Sequence, residues 1–484
     1  MICLSNISSS PHYIESDDKK HLPIKLLPHQ KQLITNIHDD KFPVYICWGM
    51  GSGKTIGACM CMSILTDKSK VLIICDKSTV LQWKSEVERL LIRNHESFNG
   101  LYVDIIHYEY LEQESAPLAS TYSMAIVDES HRFRNAWSRE SQRMLNWMYN
   151  IQQCKRVIFL SGTPIVHNAI DERKALDNMM LTEQKDLQGR IFFYDPRNDP
   201  KSEKKYPKKI EENVECPMTW SQCFLYLLNR RQDFTLQIED EDEPRTRVSS
   251  SKNTYNTLLR ALSNNPFPEN PALSPKFQQI LKHLEECNNN NCKQIIYSSR
   301  KDTGVKALQT LWDSFNNTSS FQITGDMTHT DRDDNIKKFN RKPNSTLFIT
   351  DAGAQGIDLK RVDIVHIMEP AENIQDENQI INRAIRYKSH SSPDSTVKVF
   401  RYVTTFPNNA SVSAPWKTVL YNSGMFHKDE MKGITRKVQY ALKEVIKREE
   451  LNETIDEKVL RVRSEREVDV QKAIAELKMF CVND

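Results

Sequence analysis

Glycine is scarce in this chain, 13 residues in 484, well under the average of about 7%. Missing too is any apolar run near the roughly 18 residues that a membrane span needs. The opening MICLSNISSSPHY lacks the basic-then-apolar order of a secretory signal. These absences lead us to expect an intracellular protein, cytoplasmic or nuclear, and no membrane partner. Charge of one sign is lacking as well. With 66 Lys and Arg against 64 Asp and Glu, the net charge is only +2, so any basic track for nucleic acid must be local, built by arranging charges on one face. The 11 cysteines form no CxxC unit, and only Cys59 with Cys61, and Cys287 with Cys292, come close. Reduced structural thiols are expected, not zinc ligands or disulfides.

What is present is the composition of an ordinary globular protein, 39% hydrophobic and 27% charged, long enough for two or three domains. Six of the few glycines, Gly49, Gly51, Gly53, Gly162, Gly353 and Gly356, fall in loops that follow apolar runs. Such clustering marks places where backbone approaches a ligand or adopts positive φ. Over 22–187 the runs VYICW, VLIIC, YVDII, MAIVD and VIFLS alternate with amphipathic stretches. That punctuation predicts a parallel sheet covered by helices on both faces, with ligands collecting at the carboxyl ends of its strands.

Over 188–275 the pattern decays into a basic cluster KSEKKYPKK, an acidic run EDEDE and the proline-rich NNPFPENPALSP. This reads as an insertion, partly helical around 220–229, followed by a linker. A second alternating block, 276–413, predicts a second α/β lobe. Over 414–484 the chain turns helical, with Ile434, Val438, Ala441, Leu442, Val445 and Ile446 forming one apolar stripe.

The loop GMGSGKT at 49–55 sits between the run VYICW and the amphipathic IGACMCMSIL, the strand, glycine loop and helix order of a phosphate-binding loop. Backbone N–H groups of Gly49, Gly51, Ser52 and Gly53 would cradle phosphates, Lys54 would neutralise them and the Thr55 hydroxyl would hold Mg²⁺. The first glycine of the full GxxxxGK[ST] pattern is replaced by Trp48, so a chance loop stays open on this motif alone. Asp128 and Glu129 end the run MAIV, where one acid can hold Mg²⁺ and the next can orient and deprotonate the attacking water. Ser161, Gly162 and Thr163 end VIFL, suited to relaying the state of the γ-phosphate. In the second block TDAGAQGIDL supplies another strand-end loop with Gly356 and Asp358, and QIINRAIRYKSH supplies Gln379, Arg383 and Arg386. On a helix the two arginines, three apart, share a face, and from there they could act as arginine fingers on a nucleotide. Two acids at a strand end, a lone SGTP or a pair of surface arginines could each be ordinary structure. Five in order argue otherwise.

In that order GMGSGKT, VDESH, LSGTP, QGIDL and QIINRAIR resemble motifs I, II, III, V and VI of superfamily 2 helicases. The resemblance spans about 22–405 and implies two RecA-like lobes that use ATP and Mg²⁺. LLPHQ resembles the adenine-side glutamine motif of the Swi/Snf-type branch, which assigns Gln30 to adenine. LIICDKSTVLQWKSEV resembles that branch's motif Ia and implies that Ser78, Thr79 and Trp83 lie along the nucleic-acid track, with helix packing the open alternative for Trp83. RAIRYKSH followed by VFRY is most similar to poxvirus-type transcription ATPases, namely nucleoside triphosphatase I and the early transcription factor small subunit. Asn382 stands where glycine usually precedes RA, and Trp48-Gly49 replaces a commonly acidic pair; neither removes a catalytic group. The function implied is an ATP-driven motor on nucleic acid, duplex DNA first, acting in transcription with RNA polymerase or transcription-complex subunits as candidate partners. An RNA helicase, or a transcription-factor subunit that uses ATP only to grip DNA, shares every one of these motifs.

Overall fold

The structure is a computed structural model. It describes residues 2–3, 26–37, 41–49, 51–65, 68–93, 101–112, 118–137, 142–165, 169–180, 187–195, 206–230, 252–315, 319–351, 357, 359–371, 374–386, 389–390, 392, 395–408, 442–443 and 453–479. The chain divides into two units, 1–205 with 465–484, and 206–464. Each is built on one sheet, so the fold is α/β with two RecA-like parallel-sheet lobes, a partly helical segment between the blocks, and a helical C-terminal tail.

In the first unit the strands are β1 (Ile2–Cys3), β2 (Val44–Trp48), β3 (Lys70–Cys75), β4 (Tyr102–His107), β5 (Met124–Val127), β6 (Val157–Leu160) and β7 (Ile191–Tyr194). Their order is β1-β4-β3-β5-β6-β2-β7. All pairs are parallel except the two-residue β1, which runs antiparallel to β4. Every residue of β2, β5 and β6 is buried, because a parallel sheet covered on both faces has no polar side to show. Tyr45 and Cys47 enter the core on one face, while Val44, Ile46 and Trp48 enter the core on the other, as the two-residue period of a strand requires. Around the sheet lie α1 (Pro28–Asn36), α2 (Lys54–Met60), α3 (Val80–Arg93), α4 (Gln142–Gln152) and α5 (Ala169–Met179). The consequence for chemistry is the adjacency of β5, β6 and β2 (Ala125 beside Val157, Ile46 beside Leu160). The loops after these three strands therefore open side by side at the carboxyl end of one sheet.

The second unit has the order β10-β11-β9-β12-β13-β8, all parallel, from β8 (Lys208–Pro217), β9 (Lys293–Tyr297), β10 (Ser319–Ile323), β11 (Ser345–Ile349), β12 (Ile364–Ile367) and β13 (Thr396–Thr405). Its helices are α6 (Trp220–Arg230), α7 (Lys252–Asn264), α8 (Pro275–Asn289), α9 (Ala307–Phe315), α10 (His329–Arg341) and α11 (Ile374–Ala384), which joins β12 to β13. Ser274 caps α8 by accepting from Phe277 N, with Pro275 in the first turn, where its fixed φ suits a helix start. A last helix, α12 (Ile455–Lys478), begins in this unit and ends in the other, since the division falls after Ser464. Thr454 and Glu457 make a reciprocal capping box at its start, at 2.7 and 3.3 Å. Val470, Ala473 and Leu477 of α12 belong to the first unit's core.

The segment 188–275, expected as an insertion and linker, contributes strands instead: β7 edges the first sheet and β8 edges the second. β8 hides from a hydrophobicity reading because KKIEEN is exposed, the charged surface by which edge strands avoid further pairing. The apolar stripe expected from Ile434 to Ile446 lies outside the described residues except for Leu442, which is buried.

Candidate active site

The phosphate-loop region is assembled from backbone. After Trp48 the chain leaves β2, and Gly49 N donates to Tyr194 O at 2.7 Å. Gly51 and Gly53 take φ of 76° and 80°, left-handed values that cost a side chain dearly. A Cβ at Gly53 would also stand 2.6 Å from Gln30 Nε2. Helix α2 then begins at Lys54, so its first N–H groups have no helical acceptor and its dipole favours an anion. Ser52 Oγ donates to Gly49 O at 2.6 Å and Lys54 Nζ to Trp48 O at 3.0 Å. Thr55 lies half-buried in the first turn of α2.

Two α1 residues support this loop. His29 Nε2 lies 2.9 Å from Ser52 O, and its ring stacks on Tyr194 at 3.7 Å. Gln30 Nε2 donates to Gly53 O at 3.2 Å while its Oε1 accepts from Leu27 N at 2.8 Å. Gln30, expected on adenine, thus touches the loop itself.

Asp128 and Glu129 follow β5. Trp83 Nε1 donates to Asp128 Oδ2 at 2.8 Å, Glu129 N to Asp128 Oδ1 at 3.0 Å, and Tyr108 OH to the Asp128 carbonyl at 2.5 Å. These donors are all neutral. Burial, then the charge of Glu129, raises the Asp128 pKa well above the carboxylate range, and Lys54 lies close enough to oppose that rise. Glu129 holds a φ of 49°, strain of a kind that persists at functional sites. Its Oε2 is 3.1 Å from His131 Nδ1, which lies 3.4 Å from Ser161 Oγ. Ser161 Oγ in turn accepts from Thr163 N at 3.0 Å. A polar chain therefore runs from the second acid to the SGT turn, through a histidine that the motif contains but the reading of its acids passed over.

Trp83 corrects the sequence reading. It was assigned to the nucleic-acid track, yet it is 1% exposed and its only polar atom is spent on Asp128. No strand of nucleic acid can reach it, and the indole acts on the acid instead. Thr79 closes a turn onto Asp76 O at 2.9 Å, and Ser78 sits in that same turn. Arg132 pairs with Asp76 at 2.5 Å and lies 5.1 Å over the Tyr108 ring, so Tyr108 is clamped where it meets Asp128. Nothing in the local pattern marks Tyr108, because its partner is 20 residues away.

In the second unit Gln379 and Arg383 lie half-buried on α11, with Arg383 Nη1 donating to Ile357 O at 3.3 Å. The helix ends at Ala384, so Arg386 lies two residues past its end. The cause is local: Ser389 Oγ donates to Ala384 O at 3.2 Å and accepts from Arg386 N at 3.3 Å, supplying the end of the helix with side-chain partners. Gly356 and Asp358 lie outside the described residues.

For a metal, the described residues hold no cluster of three or more His, Cys, Asp or Glu. Thr55 and Asp128 offer two hard oxygen donors, a set that suits Mg²⁺, which keeps waters and takes the rest of its shell from phosphates. A carboxylate held only by neutral donors fits that use.

Comparison with known proteins gives the following. A SNF2-related domain matches residues 44–185 and a helicase conserved C-terminal domain matches residues 275–388. The chain is 24% identical over 420 residues to "Putative ATP-dependent RNA helicase L538" of Acanthamoeba polyphaga mimivirus, covering 80% of this chain and 90% of that protein. It is 21% identical over 516 residues to "Putative ATP-dependent RNA helicase R563" of the same virus, covering 82% and 89%. Among solved structures, the Sulfolobus solfataricus SWI2/SNF2 ATPase core in complex with dsDNA aligns at 17% identity and a TM-score of 0.34, over 88% of this chain and 97% of that one.

Proposed function

Because this chain is an ATP-hydrolysing superfamily 2 enzyme of the Swi/Snf type, we propose that it is a DNA-dependent ATPase that translocates along duplex DNA. The observation that carries the catalytic part is the arrival of the phosphate loop, the Asp128-Glu129 pair and the SGT turn at the ends of three adjacent strands. In this reading the Gly49–Gly53 backbone and Lys54 bind the phosphates of ATP, Gln30 serves the adenine side, and Thr55 with Asp128 would hold Mg²⁺. When bound, that ion neutralises developing phosphate charge. Glu129 takes the proton of the attacking water, and His131 keeps its carboxylate oriented. Ser161, Gly162 and Thr163 pass on the state of the site. Arg383 and Arg386 are the arginine fingers, with Gly356 and Asp358 on the nucleotide side and Gln379 in coupling to nucleic acid.

Preference for duplex DNA is supported by the SNF2-related match and by LLPHQ and LQW, which resemble that branch. The transcription role, in the cytoplasm or a virion and alongside polymerase subunits, is supported by RAIRYKSH and VFRY. The names of the two mimivirus relatives favour a second reading, an RNA helicase. Steady-state ATP hydrolysis measured with no nucleic acid, duplex DNA, single-stranded DNA and RNA separates them. Strong stimulation by duplex DNA is expected; stimulation by RNA alone overturns the DNA reading, and a Lys54→Ala chain that hydrolyses ATP normally overturns the catalytic one.

A further inference from the structure

The first turn of α11 carries Glu377, which is 0% exposed and has both carboxylate oxygens engaged. Oε1 accepts from Ala371 N at 2.9 Å and from Arg463 Nη1 at 2.5 Å, and Oε2 from Arg401 Nε at 2.7 Å. Arg401 belongs to β13 and also reaches Glu211 on β8 at 3.1 Å, so it ties Glu377 to the sheet. Arg463 belongs to α12. Seven residues before it on that helix, hence on nearly the same face, Asp456 is fully buried against Lys276 of α8 at 2.8 Å and accepts from Thr404 N at 3.0 Å. The start of α12 is therefore fixed to α8 and β13 by one acid, and one arginine fixes it to α11.

Buried ion pairs of this kind add little stability over apolar packing; their best-attested use is to specify one geometry. The geometry specified here is that of the helix whose last turn carries Arg383, six residues and about 9 Å along the axis from Glu377. We propose that Arg463 is a positioning residue for ATP hydrolysis, holding α11 through Glu377 so that Arg383 is presented in its working orientation. The proposal rests on the reading of Arg383 given above. It assigns the C-terminal helix a role in the catalytic cycle that no motif in it announces.

The test uses the full chain with Arg463→Met, Arg463→Lys, Arg383→Ala and the double variant Arg383→Ala/Arg463→Met, each assayed for kcat and for KM of ATP. Arg463→Met is expected to lower kcat roughly ten- to hundredfold, as small misplacements of a reacting group do, with KM changed less than about twofold. Arg463→Lys keeps the charge but not the fork; it is expected to fold if the methionine variant does not, and to recover part of kcat. The double variant is expected to be no slower than Arg383→Ala, because a positioning residue has nothing left to position. Multiplied losses in the double variant, or a parental kcat in both Arg463 variants beside a slow Arg383→Ala, overturn this inference alone. A parental kcat for Arg383→Ala overturns the reading beneath it as well.

Discussion

Two buried acids, Asp128 in the first unit and Glu377 in the second, are held by opposite means. In the first, Asp128 is surrounded by an indole N–H, a backbone N–H and, at its carbonyl, a phenol. In the second, Glu377 meets two guanidiniums and Asp456 meets an ammonium. Neutral donors orient a carboxylate and leave its charge available to a cation, whereas a guanidinium consumes that charge. The difference suits Asp128 to the metal-holding role proposed for it and Glu377 to fixing a helix.

The comparison can be broken at four places. The largest effects belong to the chemistry: Arg383→Ala is expected to cost about 10³-fold in kcat, at the low end of known arginine-finger losses. Glu129→Gln should cost at least ~10²-fold, with ATP binding, followed by equilibrium dialysis, retained in both. Next comes architecture. Lys276→Met strands Asp456 in the interior and is expected to cost about 3–5 kcal/mol in denaturant unfolding, whereas Trp83→Phe, which removes a neutral donor, should cost roughly 1–3 kcal/mol. Equal costs would erase the distinction drawn here.

Third, Trp83→Phe should shift the Mg²⁺ concentration needed for half-maximal ATP hydrolysis severalfold, and Lys276→Met should leave it alone. The fourth effect is one of pH. Burial, then the neighbouring His283 charge, pushes the pKa of His366 down to about 3, while an unfolded histidine titrates near 6.5. The stability owed to neutral His366 is thus complete above about pH 6.5 and drains away as pH falls towards 3. A His366→Gln chain should lose less stability than the parent over that window, measured by urea unfolding at successive pH values.

The runs VYICW, VLIIC, MAIV and VIFL announced buried parallel strands because each is apolar throughout, and the loops after them carried their own glycines and acids. β8 did not announce itself, since KKIEEN carries charge on both alternating sets of positions, and only its pairing along β13 makes it a strand. The end of α11 was missed for a related reason: RAIRYKSH is a good helical string until the Ser389 hydroxyl competes for its backbone. Trp83 was seen but misplaced. An LQW segment says that an aromatic is present, while its burial and its partner 45 residues away are set by the sheet. Glu377 and Arg463, 86 residues apart, leave no local pattern at all. The strands and the residues at their ends were legible, and the long-range contacts that hold those residues were not.

The indole on Asp128 has one more consequence. The emission of a tryptophan follows the electric field across its ring, and here a carboxylate whose charge a cation would offset stands 2.8 Å from the ring nitrogen. Trp83 is one of seven tryptophans, so the difference spectrum between the parent and Trp83→Phe isolates its signal. In the proposed reading, a cation arriving at Asp128 is expected to shift this emission without any label.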